Sequence, residues 1–232
     1  MKIEICVGTL EAARIVSKQK IDRIETCIAL EQGGLTPSKA MVSWIQNTFH
    51  LEQHALIRVR AGGFAYNYDE MVVMRDQILE LKDSGITGFV VGALTPDFKL
   101  NLEALETWKR TAPQRDFTFH RAFDSIPDWK TAMDQLVKMG FKRILTSGSE
   151  QNVSQGIEHL KELVAYANGR IEIMAGGGVK EALISELKAS GVDAIHFSGT
   201  SAVTVETGTA FEENLLLPDE NKLSALLAAI QA

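Results

Sequence analysis

The sequence predicts a single-domain (β/α)8 TIM barrel, in which each of eight parallel strands is followed by a helix. Short apolar runs alternate regularly with longer amphipathic segments, which is typical of β/α units and a parallel sheet. The length of 232 residues is typical of one closed α/β barrel. Eight units favour a closed barrel over an open, doubly wound sheet with fewer strands, which is the alternative.

The predicted elements follow one another without a linker, so residues 1–232 are expected to form one domain. Gly85, Gly140, Gly169 and Gly191 end helices just before the next strand, where left-handed backbone is common. The strands are predicted at 2–7, 22–27, 54–60, 87–92, 116–120, 142–146, 171–175 and 193–197. The predicted helices include 67–83, 101–111, 126–139, 153–167, 179–189 and 219–230.

The charge balance indicates which classes of binding partner are not expected. A formal net charge of -6 argues against a general affinity for nucleic acid or an anionic membrane, since either would need a basic patch. The first residues form no apolar leader and no segment has the length of a bilayer span, so a cytoplasmic location is expected. Cys6 and Cys27 are too few for a disulfide scaffold and are expected as thiols, buried residues or metal ligands.

Strand alternation predicts which side chains enter the barrel. Successive residues point to opposite faces, and the outward face meets the helices and is apolar. Ile3, Ile5 and Val7 share one face of the first strand, which leaves Glu4 and Cys6 inside. The same parity in the other strands turns a largely charged set inward: Glu4, Arg23, Glu25, Arg58, Arg60, His120 and His196.

This polar interior has two interpretations, because buried ions are costly unless they pair with one another or with a ligand. One interpretation is a structural network of ion pairs that closes the barrel. The other is a functional site. We favour the site because most of these residues lie at the carboxyl ends of strands, where barrel enzymes build their sites.

The loop after the fifth strand combines three groups that suit acid–base chemistry or ligand binding. Residues 119–124 place an imidazole (His120), a guanidinium (Arg121) and a carboxylate (Asp124) within a few positions. A hydrogen-bonded structural histidine explains His120 equally well. Both interpretations stay open for this loop.

A glycine run after the seventh strand is typical of anion sites. Gly176, Gly177 and Gly178 lead into a predicted helix, so their N–H groups and the helix N-terminus favour a phosphate or carboxylate. Ser198 follows the eighth strand, and in such barrels the loops after strands seven and eight often bind phosphate. A tight strand-to-helix turn is the alternative for the glycines.

Cys6 and Cys27 end neighbouring strands with the same inward parity. Adjacent strands lie about 4.8 Å apart, so two thiolates there could share a soft cation such as Cu(I). Buried cysteine is also common as a small apolar filler, and two cysteines form no zinc-type spacing motif.

Six segments together resemble the CutC family of copper homeostasis proteins, in order along nearly the whole chain. They are Glu4-Ile5-Cys6, Arg23-Ile24-Glu25-Thr26-Cys27, Gly33-Gly34-Leu35-Thr36-Pro37-Ser38, Phe119-His120-Arg121-Ala122-Phe123-Asp124, Leu145-Thr146-Ser147-Gly148 and Met174-Ala175-Gly176-Gly177-Gly178. The resemblance implies a cytoplasmic barrel that is commonly a homodimer. It also implies a Cu(I) site at Cys6 and Cys27.

The segment after the third strand departs from the family pattern. The family usually has Arg-Pro-Arg followed by Gly-Gly-Asp-Phe, whereas this chain has Val59 between its two arginines and Gly63 at the acidic position. A ligand contact made by that carboxylate elsewhere in the family is therefore not expected here.

Two functional hypotheses follow. The first is a Cu(I)-binding protein whose metal ligands are Cys6 and Cys27. The second is an enzyme that acts on a small anionic or phosphorylated metabolite, with Glu25, His120 or His196 transferring protons. The expected ligand-binding residues are Glu4, Arg58, Arg60, Arg121, Asp124, Gly176, Gly177, Gly178 and Ser198.

Overall fold

Eight parallel strands close into a barrel in sequence order, which confirms the predicted (β/α)8 TIM fold. The computed structural model describes residues 1–231. The barrel strands are β1 (Lys2–Val7), β2 (Arg23–Thr26), β3 (Gln53–Leu56), β4 (Gly88–Val91), β5 (Asp116–Phe119), β6 (Arg143–Thr146), β7 (Glu172–Gly176) and β8 (Ala194–Phe197). Glu4 is opposite Arg23 on one side and His196 on the other, so closure brings the two ends of the chain together.

Eight helices surround the barrel in the described part of the chain, and several begin at a side chain that caps their N-terminus. Asn67 and Glu70 form a reciprocal capping box, and Thr9, Ser38 and Asp128 each accept a bond from the first turn of a helix. The helices are α1 (Leu10–Val16), α2 (Lys39–Phe49), α3 (Tyr68–Leu81), α4 (Leu102–Thr111), α5 (Trp129–Lys138), α6 (Ile157–Ala167), α7 (Ile184–Ser190) and α8 (Glu220–Gln231).

The hydrophobic core lies between the barrel wall and the helices. Ile3, Ile5 and Val7 of β1 belong to it, as does Ile24 of β2, which agrees with the outward parity expected from the sequence. Apolar burial on this layer is the main driving force for closure. No helix within residues 1–231 has the length and apolar composition needed to cross a membrane.

The third strand is shorter than predicted. It ends at Leu56, whereas the sequence pattern suggested that it continues to position 60. The chain leaves the sheet because the Arg58 N–H donates to Thr36 Oγ1 and the Thr36 N–H donates to the Arg58 carbonyl. Arg58 and Arg60 therefore lie in the loop after β3.

Two further strands follow the barrel and were not predicted. β9 (Thr200–Val205) and β10 (Glu213–Pro218) form an antiparallel hairpin that is mostly exposed. Both runs contain β-branched or aliphatic residues on either side of a polar turn, which is a hairpin signal. The hairpin brings Thr200 and Leu216 to the mouth of the barrel.

Candidate functional site

A cavity of about 1010 Å³ opens at the carboxyl ends of the barrel strands. Of the residues singled out in the sequence, the cavity is lined by Cys6, Glu25, Arg58, His120, Arg121, Gly177, Gly178, His196 and Ser198. The other singled-out residues do not line it: Glu4, Cys27, Arg60, Asp124 and Gly176. The structure therefore brings together residues from six of the eight strands or the loops that follow them.

Two thiols meet beside the floor of the cavity. The Sγ atoms of Cys6 and Cys27 lie 3.4 Å apart, and both side chains are buried and unbridged. Cys6 Sγ also lies 3.5 Å from Glu25 Oε1, to which it donates. The hydrogen bond with Cys27 and then burial raise the pKa of Cys6, so its thiol is protonated at neutral pH.

Glu4 joins two cationic groups below the cavity. It is fully buried, accepts a bond from Arg23 Nε and lies 2.7 Å from His196 Nδ1. Burial alone would raise the pKa of Glu4, but the bond to His196 and the charges of His196 and Arg23 hold it far below its usual range. Glu4 therefore remains a carboxylate that orients the His196 ring through Nδ1. The second ring nitrogen, Nε2, is left as the atom that can ligate a metal ion.

Cys6, Glu25 and His196 form a group that could hold a metal ion. One ligand atom from each of the three lies within 4.8 Å of the others. Burial lowers the pKa of His196, but the nearby carboxylates of Glu25 and Glu4 outweigh burial and raise it. A sulfur, an imidazole nitrogen and a carboxylate are all common metal ligands, and the second thiol is in contact with the first.

Glu25 is a buried acid in which one of the two carboxyl oxygens is hydrogen-bonded. Oε1 accepts from Cys6, whereas Oε2 has no partner among the residues that the structure describes. Burial, reinforced by the charge of Glu4, raises the pKa of Glu25 against the opposing influence of His196 and Arg23. A raised pKa makes this carboxyl a candidate proton donor.

His120 is a buried, neutral imidazole. Its Nδ1 accepts a hydrogen bond from the Ala122 N–H at 3.1 Å. The centroid of its ring lies 4.7 Å from the centroid of the Phe64 ring. Burial and then the positive charge of Arg58 lower the pKa of His120 to about 3. Since Nδ1 is an acceptor, the ring proton is on Nε2, and that atom has no partner within residues 1–231.

We expect His120 to make the protein sensitive to acid. Between pH 6.5 and about 3 the unfolded chain binds a proton at this residue and the folded chain does not, so stability is lost as the pH falls. In His120→Asn, whose Oδ1 replaces the Nδ1 acceptor, the loss of unfolding free energy between pH 7.5 and 5 is expected to shrink by about 2 kcal/mol. Urea unfolding at both pH values measures this difference.

A second histidine provides the control. His50 is exposed at the end of α2 with φ of 54°, a conformation that asparagine tolerates well. His50→Asn is expected to leave the pH dependence of unfolding unchanged. Equal pH profiles for His120→Asn and the unmodified chain would show that His120 is not the source of the acid sensitivity.

The two arginines after β3 bind protein groups. Arg58 Nη1 donates to the Gln32 and Gly34 carbonyls and Nη2 to the Gly62 carbonyl, so this buried side chain ties two loops together at the edge of the cavity. Arg60 pairs with Glu70 of α3 outside the cavity. The inward position predicted for Arg60 is wrong because strand alternation does not extend beyond Leu56.

Asp124 organises the loop after β6. It accepts from Thr146 Oγ1, from Ser147 N and Oγ, from Ser149 N and from Arg121 Nε. These bonds place Arg121 at the cavity while Asp124 itself faces a neighbouring recess. The structure thus shows Asp124 as a positioning residue.

The glycine run is arranged differently from the prediction. Gly176 is the last residue of β7, and a Cβ there would lie 2.6 Å from Leu145 Cδ1. Gly177 has φ of 97° and supports the Arg121 guanidinium, whose Cζ would be 2.9 Å from a Cβ. A 3-10 turn over Glu181–Leu183 separates the run from α7, so the helix begins at Ile184 and its N-terminus does not follow the glycines directly.

Sequence reasoning missed the walls and the rim of the cavity. Leu216 of β10 and Lys222 and Leu226 of α8 line it, although they follow the eight-unit pattern. Lys180, two residues after the glycine run, and Leu30 also line the cavity, and neither was singled out in the sequence. The hairpin signal was the one pattern that could have indicated a contribution from this part of the chain.

Comparison with known proteins identifies relatives over most of the sequence. The sequence model of the CutC family matches residues 1–201. A CutC family protein of Glaesserella parasuis is 37% identical, with 99% of each chain covered. A copper homeostasis protein cutC homolog of Caenorhabditis elegans is 39% identical over 81% of this chain and 75% of that protein. The crystal structure of CutC from Streptococcus agalactiae superimposes with a TM-score of 0.81 at 36% identity, covering 85% of this chain and 99% of that one.

Proposed function

This chain belongs to the CutC family, and from that premise we propose that it binds Cu(I) through the paired thiols of Cys6 and Cys27. Its relatives include proteins named for copper homeostasis. The observation that carries the proposal is the 3.4 Å separation of the two sulfur atoms at the end of the barrel.

The chemistry of the donor set fits copper in its reduced state. Thiolate sulfur is a soft ligand and selects Cu(I) over hard cations such as Mg²⁺ or Ca²⁺. Both cysteines are thiols, as expected for a protein of the cytoplasm, which is the location that we propose. The His196 ring and a Glu25 oxygen each offer one ligand atom within 4.8 Å of that of Cys6 and supply further donor atoms.

The surrounding residues prepare the thiols for metal. Cys6 must lose its proton to become a ligand, and Glu25 Oε1 already accepts the Cys6 S–H. Glu4 fixes the His196 ring through Nδ1, so that the second ring nitrogen keeps one orientation. Cys27 is fully buried, and Cys6 is 5% exposed where it lines the cavity.

The test is the Cu(I) affinity of the Cys6→Ser/Cys27→Ser double variant. Loss of both ligands is expected to weaken binding at least about a hundredfold, since even outer partners of a metal site are worth 10- to 100-fold. Competition with a chromophoric Cu(I) chelator under reducing conditions measures it. Met174→Leu removes a sulfur that accepts from Arg23 and leaves the thiol pair intact, so it serves as the matched control.

Affinity is also expected to rise with pH. The raised pKa of Cys6 means that copper binding displaces protons throughout the neutral range. Each displaced proton increases the apparent affinity by up to about tenfold per pH unit. A double variant that binds Cu(I) as tightly as the unmodified chain, or an affinity independent of pH, would refute the thiol site.

A further inference from the structure

Three buried polar groups at the cavity lack hydrogen-bond partners in the described part of the chain. His120 Nε2 carries the ring proton, because Nδ1 accepts from Ala122, yet it has no acceptor. Glu25 Oε2 is the second such atom and Arg58 Nε is the third. His120 and Glu25 are 5% exposed and Arg58 is 6% exposed, and all three line the cavity.

Such groups are rare in folded proteins because each costs about 1–3 kcal/mol when it remains unpaired. Three of them on one cavity indicate that a ligand supplies the missing partners. The His120 donor requires an acceptor, so the matching ligand atom is a hydroxyl or carbonyl oxygen. The unpaired Glu25 oxygen lines the same cavity and suits a ligand hydroxyl.

The charge of the cavity indicates a second property of the ligand. Arg58, Arg121, Lys180 and Lys222 line it, whereas Glu181 is the other carboxylate besides Glu25. The chain as a whole has a net charge of -6, so this is a local excess of positive charge. A cleft of one sign with low-dielectric walls concentrates ligands of the opposite sign.

The rim is built to hold an anion. Arg121 is fixed by Asp124 through Nε and by Ser147 through Nη2, and its guanidinium rests against Gly177. Lys222 Nζ is held 3.1 Å from the Thr200 carbonyl, after β8. These groups adjoin the loops after strands seven and eight, the place where barrels of this class bind phosphate.

The walls set the size and character of the ligand. Apolar side chains, among them Leu30, Leu56 and Phe64, surround the polar floor. A volume of about 1010 Å³ is at the upper end of the range for small-molecule sites. A metabolite of a few carbon atoms with bound water fits this space.

We propose that the cavity binds a small phosphorylated sugar or polyol, with its phosphate at Arg121 and Lys222 and a hydroxyl or carbonyl oxygen at His120 and Glu25. This site shares Glu25 with the copper proposal, but the phosphate contacts and the His120 contact involve no cysteine, so the two proposals can be tested separately. The proposal assigns a second class of ligand, besides Cu(I), to the end of the barrel where the thiol pair lies.

Ribose 5-phosphate is a suitable probe, with ribose and inorganic phosphate as its two halves. Calorimetric titration into the full chain, freed of metal by a chelator, is expected to give saturable binding with Kd below about 1 mM. Ribose and phosphate alone are each expected to bind at least about tenfold more weakly, because each uses half of the site.

Two variants test the two halves. His120→Asn removes the Nε2–H and keeps the acceptor for Ala122, and Lys222→Ala removes a rim charge; each is expected to weaken ribose 5-phosphate about tenfold. Lys161→Ala, which removes an exposed lysine of α6, is the matched control and is expected to bind normally. His120→Asn and Lys222→Ala are both expected to keep the Cu(I) affinity of the unmodified chain, which separates this proposal from the copper site.

Two results of these titrations would contradict the proposed site. No saturable binding of ribose 5-phosphate at 10 mM, about ten times the expected Kd, would overturn the proposal. Binding that neither His120→Asn nor Lys222→Ala weakens would overturn it as well, because the ligand would then lie elsewhere. Circular dichroism of each variant confirms that a loss of binding is not a loss of fold.

Discussion

Replacing Glu4 by glutamine is expected to lower the free energy of unfolding by about 3–5 kcal/mol. Glu4 and Arg23 are 0% and 1% exposed, so a neutral amide in place of the carboxylate would leave the Arg23 guanidinium charged, buried and without its counter-ion. The effect is large because the cost comes from the abandoned charge and exceeds the net worth of the pair.

The pH dependence of this loss has a defined sign. The folded-state pKa of Glu4 lies far below the ordinary value of 4.5, so its stabilisation is complete above pH 4.5 and declines as the pH falls below that value. The difference between Glu4→Gln and the unmodified chain is therefore expected to shrink in acid. The variant is also expected to lower the pKa of His196, because one of two nearby negative charges is lost and a neutral amide oxygen replaces the carboxylate beside Nδ1. Urea unfolding and NMR titration of the histidine give the two measurements.

A double variant isolates the ion pair. Arg23→Met fills the space with an apolar side chain next to Met174, and it removes the charge that Glu4→Gln leaves unpaired in the core. The combined variant is expected to lose at least about 2 kcal/mol less than the sum of the two single losses. Additive losses would show that Glu4 and Arg23 stabilise the barrel separately.

How much of the buried network around Glu4 the sequence predicts depends on how far along the chain each sequence rule applies. Alternation in β1 correctly separates Ile3 and Ile5 from Glu4, because a strand that is packed against helices must be apolar on that face. The contact between Glu4 and His196 depends on the register at which β1 closes on β8. No local pattern encodes that register.

The loop after β3 shows where alternation fails. Arg58 and Arg60 look like strand residues because they alternate with Ile57 and Val59, but the chain has already turned toward Thr36. Arg58 then donates through Nη1 and Nη2 to carbonyls of glycine-containing turns, and Arg60 pairs with Glu70. Hydrogen bonds to backbone atoms of distant loops carry no signature in side-chain composition, and so the sequence could not separate these arginines from cavity residues.

Asp124→Ala is expected to cost about 3–5 kcal/mol of unfolding free energy and to release Arg121 from the cavity. Asp124 accepts from five donors, and Thr146 and Ser147 are fully buried residues. An alanine at this position leaves the Thr146 hydroxyl and the Ser147 and Ser149 N–H groups without that acceptor, whereas Ser147 Oγ keeps the Glu150 carbonyl. The bonds also run through one carboxylate, so their loss is cooperative and the β6 loop is expected to open as a unit.

Asp128 provides a matched aspartate only four residues away. It is exposed and caps α5 through a single bond of 3.3 Å to the Thr131 N–H, so Asp128→Ala is expected to cost about 1 kcal/mol. Amide exchange separates the two variants, because Ser147 and Ser149 lose protection in Asp124→Ala alone. If the two alanine variants were equally stable and equally protected, the loop would be held by its own backbone. The position of Arg121 at the cavity would then not depend on Asp124.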